Sequence, residues 1–177
     1  MIVLVAGVAG SGKTTIGILL AQQLGWPFED GDDLHPAANI AKMRAGVPLT
    51  DEDRQPWLHA VAGWMDQRIA AGESGVIACS ALKRSYREVL RSGRPPLRIV
   101  FLQVSHDILA ARLASRPGHF FRAQLLGSQL ADAEVPLPAE HAIVVTAESA
   151  PADVAAEIIR RLGPAAYGGT TGDRRPR

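Results

Sequence analysis

The stretch Gly7-Val8-Ala9-Gly10-Ser11-Gly12-Lys13-Thr14 leaves this chain few folds to choose from. Two glycines separated by four residues, then lysine and a hydroxyl, form the pattern of a loop that wraps phosphate groups. Glycine tolerates positive backbone dihedrals and brings N–H groups close to phosphate oxygens, where a Cβ would clash. The candidate phosphate contacts are therefore Gly7, Ala9, Gly10, Ser11, Gly12, Lys13, Thr14 and Thr15. Lys13 supplies a mobile positive charge, and Thr14 offers its hydroxyl to a magnesium ion. The helix opening there points its positive dipole end at the anion. The flanks agree: Met1 to Ala6 is a β-branched apolar run suited to a strand buried on both faces. After the loop, Ile16, Leu19, Leu20 and Leu24 recur at helical spacing before Gly25.

Composition narrows the class. With 177 residues, 47% of them hydrophobic, the chain can build one domain with a substantial core and not two. A net charge of +1 and 21% charged residues argue against nucleic acid as a partner. The lone Cys79 excludes an internal disulfide and a cysteine zinc site, which suits a reducing cytoplasm. The apolar N-terminus lacks a basic leader and runs straight into the phosphate loop, and no stretch reaches membrane-spanning length.

Strand and helix then alternate. Trp26 to Asp30 reads as a second strand ending in Asp30-Gly31-Asp32-Asp33-Leu34-His35-Pro36. On an extended segment Asp30 and Asp32 face the same side, with Gly31 leaving room for a ligand. One carboxylate can accept a proton from, or orient, an attacking hydroxyl, while the other holds a magnesium-bound water. The bland alternative is an acidic turn that caps the helix after Pro36.

A helix from Pro36 to Ala45 ends at Gly46, and Thr50 or Asp51 caps a longer one carrying Trp57, Leu58, Val61, Trp64 and Ile69 on an apolar face. Arg54 stands at its entrance, where it can grip a substrate carboxylate or pair with Asp51 or Asp53. The third strand, Gly75 to Cys79, lacks the terminal aspartate that holds magnesium in many phosphate-loop proteins. That puts the metal on Thr14, the phosphates and the Asp30/Asp32 pair. Lys83, Arg84 and Arg87 fall at i, i+1 and i+4 on the next helix, so Lys83 and Arg87 share a face, either a solvated basic face or, for Lys83 at the strand end, part of a site.

Leu97 to Val104 is the fourth strand, and the helix from about His106 to Ser115 carries Arg112, with Arg116 four residues on. Arg112 and Arg116 are candidates for the nucleotide phosphates, and Arg116 for the transferred group, on a mobile lid spanning about residues 116–136. Ala142 to Thr146 forms the last strand, and Ala150-Pro151 opens a final helix. The loop Ala147-Glu148-Ser149 between them is positioned to edge an adenine pocket. The domain is expected over residues 1–163, with 164–177 a disordered tail rich in Gly, Pro and Arg.

Four blocks together resemble the gluconokinases, small phosphate-loop sugar-acid kinases. They are Asp30-Gly31-Asp32-x-Leu34-His35-Pro36-x-x-Asn39-Ile40-x-Lys42-Met43, Pro48-Leu49-x-Asp51-x-Asp53-Arg54-x-Pro56-Trp57-Leu58, Cys79-Ser80-Ala81-Leu82-Lys83-x-x-Tyr86-Arg87, and Gly118-His119-Phe120 followed by Ser128-Gln129. The resemblance covers residues 2–162. It implies an α/β, three-layer, adenylate-kinase-like fold with a five-stranded parallel sheet, ATP and Mg2+ as cofactors, D-gluconate as acceptor, 6-phosphogluconate as product, and a homodimer. It also implies Lys13 and Asp32 as catalytic groups and His35, Arg54, Lys83, Arg87, His119 and Gln129 in the substrate pocket. One departure is Leu130-Ala131-Asp132-Ala133-Glu134-Val135-Pro136, where relatives usually run toward Thr-Leu-Glu-x-Pro. Ala133 in place of leucine loosens the expected lid packing. The alternatives are a kinase of another small acceptor, such as a shikimate-like acid or a nucleoside monophosphate, and a non-catalytic nucleotide-binding regulator. A GTP switch does not fit, because the sole asparagine is Asn39 and the guanine-reading Asn-Lys-x-Asp motif is absent.

Overall fold

The computed structural model describes residues 1–114 and 127–166. Its strands are β1 (Ile2–Ala6), β2 (Phe28–Asp30), β3 (Gly75–Ala78), β4 (Leu97–Gln103) and β5 (Ile143–Thr146). They form one sheet in the order β2-β3-β1-β4-β5 with every neighbouring pair parallel. The helices are α1 (Lys13–Leu24), α2 (Ala37–Arg44), α3 (Asp51–Ala70), α4 (Arg84–Arg91), α5 (His106–Ala114), α6 (127–132) and α7 (Pro151–Leu162). This is the expected α/β arrangement, each strand falling inside the run read from the sequence and at most two residues shorter.

Strand alternation explains the three layers. Along β1, Ile2, Leu4 and Ala6 point to one face, where they meet Trp57, Leu58, Val61 and Met65 of α3 and Tyr86 and Leu90 of α4. Val3 and Val5 point to the other, against Ile16 and Leu20 of α1 and Val154, Ala155 and Ile158 of α7. All five β1 residues are fully buried, as a central strand between two helical layers must be. The crossovers send every strand's carboxyl end to one edge of the sheet, where open α/β folds collect their ligands.

Local chemistry sets the helix starts. Thr50 Oγ1 accepts from the Asp53 amide at 3.2 Å, and the Asp53 carboxylate accepts from the Thr50 amide at 3.0 Å, a reciprocal cap for α3. Asp53 also binds Lys42 at 2.6 Å, and Asn39 Nδ2 donates to the Asp53 carbonyl at 2.7 Å, which ties α2 to the entrance of α3. Ala150 and Pro151 open α7 as expected. Pro164–Ala166, assigned to the tail from sequence, form a 3-10 turn whose Ala166 is buried. Residues 167–177 and 115–126, the latter including most of the expected lid, lie outside the described residues.

Gly31, between β2 and the following turn, is packed against backbone. A Cβ there would stand 2.5 Å from the Ala78 carbonyl oxygen of β3. Gly31→Ala is expected to lower stability by about 1–3 kcal/mol, since neither backbone can yield cheaply. Urea denaturation checks this, and an unchanged midpoint with an unchanged slope would contradict it.

Candidate active site

The phosphate loop connects β1 to α1 in the strained geometry that its glycines permit. Gly7 has φ +145° and Gly12, which precedes α1, has φ +96°. A Cβ on Gly7 would lie 2.8 Å from Ser11 Oγ and 2.9 Å from the Leu102 carbonyl, so the close approach requires glycine. The Gly7 amide donates to the Ser80 carbonyl at 3.3 Å, fastening the loop to the end of β3. Lys13 Nζ donates to the Val8 carbonyl at 3.1 Å and so arches back over the loop.

Two cavities flank that loop. The first, of about 340 Å³, is bounded by Lys13, Thr14, Asp32, His35, Arg54 and Gln129 among others. The second, of about 330 Å³, is bounded by Arg112, Ala147, Ser149, Pro151 and Val154. Gly10, Gly12 and Thr15 border both, so a phosphate chain on the loop has one end facing each cavity. Arg112 donates to the Ala147 carbonyl at 2.8 Å and lies 3.4 Å from the Gly10 carbonyl. It thereby fixes the 147–149 loop beside the phosphate loop.

The two aspartates differ in their surroundings. Asp30 accepts from the Thr14 hydroxyl at 2.8 Å and from the Asp32 amide at 3.0 Å. The Thr14 oxygen keeps its lone pairs for a cation, and Asp30 stands directly behind it. Asp32 lies in the 3-10 turn Gly31–Leu34 and borders the first cavity. The expected pairing by strand alternation is thus replaced by a turn, because the strand stops at Asp30. His35 stacks on Trp57 with ring centres 4.5 Å apart and planes 9° from parallel, and Trp57 Nε1 donates to the Gly31 carbonyl at 2.6 Å. Trp57, read as plain core, therefore holds both the turn that carries Asp32 and the imidazole beside it. Burial, aided by the charge of Arg54, holds the His35 pKa below its ordinary value and so favours the neutral ring, while the charge of Asp32 acts the other way.

At the far wall of the same cavity, Arg54 Nη1 donates to the Tyr86 hydroxyl at 3.0 Å and lies 3.4 Å from Asp132 and 3.7 Å from Asp51. Of the two alternatives for Arg54, pairing with Asp53 does not occur. Asp53 is taken by Lys42 and the Thr50 cap. Lys83 binds Asp51 at 2.7 Å, and Tyr86 OH donates to the same carboxylate. The hydrogen bonds from Lys83 and then Tyr86 hold the Asp51 carboxyl below the usual range, and its own bond to Asp51 raises Lys83. Gln129 on α6 accepts from the Ala9 amide at 2.6 Å, joining that helix to the phosphate loop.

Arg87 is a correction. Its guanidinium does not reach the cavity: it is buried, forms two bonds to Glu140 at 2.7 and 3.0 Å, and donates to the Ala81 and Leu82 carbonyls. The reason is local. Lys83 precedes α4 in an extended conformation, so it does not share the helical face that the spacing suggested. Arg87 instead braces the 81–82 turn, where Ala81 holds φ +36°. Arg116 and His119 lie outside the described residues. Sequence reasoning missed Asp132, although it stands three residues after Gln129 and so on the same helical face. It also missed Glu140, for which no local signal exists.

Comparisons with known proteins bear on the family and the fold. The family model described as shikimate kinase matches residues 9–163. A gluconokinase of Gluconobacter oxydans is 50% identical over 158 residues, covering 89% of each chain. The crystal structure of a gluconokinase from Sinorhizobium meliloti superposes with a TM-score of 0.82 at 43% identity, covering 93% of this chain and 92% of that one. A Janibacter sugar kinase, described as unliganded, gives 0.86 at 45% identity, over 93% and 96%.

Removing the Glu140 carboxylate leaves the Arg87 guanidinium buried without its counter-ion. Glu140→Ala is expected to cost about 3–5 kcal/mol in chemical denaturation, and a loss under about 1 kcal/mol would contradict the bracing role. His35 sets a pH dependence. Its folded pKa is below the unfolded value of about 6.5, so its contribution is complete above that pH and is lost as pH falls through the folded pKa. Unfolding free energies between pH 7 and 5 should therefore decline more steeply for wild type than for His35→Gln; equal slopes would contradict this.

Proposed function

The chain belongs to the gluconokinase family, and from that membership we propose how its two cavities carry out the ATP-dependent phosphorylation of D-gluconate. The observation that carries the reading is the phosphate loop bordering both cavities at once, with an acid-and-alcohol site on one side and the Arg112 groove on the other. Adenosine fits the groove edged by Ala147 and Ser149. Gluconate, a polyol with one carboxylate, fits the cavity that has Arg54 at one end and Asp32 at the other.

In the transfer, the terminal alcohol oxygen of gluconate forms a bond to the γ-phosphorus. The bond from that phosphorus to the oxygen bridging to ADP breaks, and Asp32 accepts the alcohol proton. Lys13 and the loop amides hold the phosphoryl oxygens, so the protein contributes mainly alignment and charge neutralisation. Arg54, assisted by Lys83, holds the substrate carboxylate, while neutral His35 and Gln129 offer hydrogen bonds along the chain. Arg116, supported by its spacing from Arg112, and His119, supported by the family resemblance, complete the site in this reading.

The residues present fit magnesium. Thr14 offers an oxygen whose proton is committed to Asp30, and among the described residues no cluster of three or more His, Cys, Asp or Glu side chains forms a dedicated cage. That donor set suits an ion held mostly by phosphates and water. Thr14, with Asp30 through water, would hold it, and when bound it offsets charge on the phosphates. A homodimer and a cytoplasmic location belong to the same reading, the latter supported by a single thiol that is buried and whose pKa burial pushes up to about 12. Among the described residues no helix is long and apolar enough to cross a membrane.

Asp32→Asn and Lys13→Ala are each expected to lower kcat at least about 100-fold, with folding intact by circular dichroism. ADP release with gluconate as acceptor measures this, and a folded Asp32→Asn protein with near-normal turnover would remove the carboxylate from the mechanism. Wild type should turn over gluconate and not shikimate.

A further inference from the structure

Where Arg54 and Asp132 line the first cavity, with Lys83 and Asp51 adjoining them, two cations already face two carboxylates. Asp51 engages Lys83 closely, at 2.7 Å. Asp132 is different: its Oδ2 lies 3.4 Å from Arg54 and its Oδ1 3.6 Å from Lys83, each oxygen turned to one cation. A carboxylate poised between a guanidinium and an ammonium is the arrangement an acidic acceptor would adopt there. Both separations exceed the 2.7–2.9 Å of a tight charge-assisted bond, so the contact holds the site without locking it.

The ion pairs do not determine where Asp132 sits. Helix α6 is fixed by other groups. Gln129 bonds to the Ala9 amide at 2.6 Å, Leu130 and Ala133 pack against Val8, Leu82 and Leu109, and the Glu134 amide donates to the Leu82 carbonyl at 3.1 Å. Glu134 in turn accepts from the Arg84 amide at 2.6 Å. The helix therefore delivers the Asp132 carboxylate to the clamp whether or not the clamp rewards it.

We propose that Asp132 is a specificity-determining residue, an internal carboxylate that competes with the substrate carboxylate for Arg54 and Lys83 and thereby weakens the binding of acidic acceptors. This rests on the gluconate reading above. With substrate absent, the charges of the clamp balance. An entering carboxylate makes three anions for two cations unless Asp132 gives way, so binding carries a competition that an uncharged side chain would not impose. The polyol hydroxyls do not share this cost, because they are neutral.

Steady-state kinetics with saturating Mg-ATP on wild type, Asp132→Asn and Asp132→Ala test the proposal. Partly exposed ion pairs correspond to modest factors, so both variants should lower the gluconate KM by about two- to tenfold and raise kcat/KM by the same factor. Inhibition by D-glucitol, which keeps the hydroxyls and lacks the carboxylate, should change by less than that. A KM that rises in both variants makes Asp132 a substrate-binding acceptor and overturns the proposal. So does a KM that stays within experimental error of wild type, or an equal gain for glucitol. Wild type provides the separate check: if it phosphorylates gluconate and the variants show no KM decrease, only the competition fails. If wild type does not phosphorylate gluconate, the underlying reading fails and the proposal with it.

Discussion

Parallel pairing of five strands is the constraint from which the site follows. Because β1 is hydrogen-bonded on both sides and covered on both faces, its only open end is the loop leading to α1, and the neighbouring strands end beside it. β3 lies between β1 and β2, so the turn after β2 reaches back toward the start of α1. The Thr14–Asp30 hydrogen bond at 2.8 Å spans that gap. A cation oxygen donor and the carboxylate behind it are thus brought together by sheet order and not by any local motif. Gly31 is part of the same fit, since β2 and β3 could not lie this close with a side chain there.

Charge is distributed unevenly around the cavity in a way that suits its two ends. Near the phosphate loop the cation is Lys13, with Asp30 and Asp32 standing opposite. Arg54 and Asp132, which also line the cavity, form with Lys83 and Asp51 a second group in which two cations balance two carboxylates. The aromatic pair His35 and Trp57 lies between, stacked and partly withdrawn from water. The buried Arg87–Glu140 pair lies just outside, holding the 81–82 turn that forms part of the cavity floor.

The features legible in the sequence were those set by near neighbours. The phosphate loop, the alternation of β1 and the Thr50 cap with Asp53 three residues on all depend on chemistry within one turn or strand. The same locality explains the errors. Arg87 was grouped with Lys83 by helical spacing, but the helix begins only at Arg84, and the partner of Arg87 is 53 residues away at Glu140. Arg54 follows three acidic residues, Asp51, Glu52 and Asp53, yet Asp53 is already engaged by the helix cap. One of its partners, Asp132, comes from 78 residues downstream. Asp30 and Asp32 read as a pair on one strand face, but a strand that stops at Asp30 assigns them different surroundings.

The central claim is geometric: a phosphoryl group on the loop of Lys13 and an alcohol aligned by Asp32 must meet in one cavity whose opposite end grips a carboxylate. A crystal structure with magnesium, a non-hydrolysable ATP analogue and D-gluconate tests it most directly. The expected result has the terminal alcohol oxygen within hydrogen-bonding distance of Asp32, in line with the γ-phosphorus, and the substrate carboxylate on Arg54. Gluconate bound with its alcohol remote from Asp32, or a nucleotide away from Lys13, would contradict it.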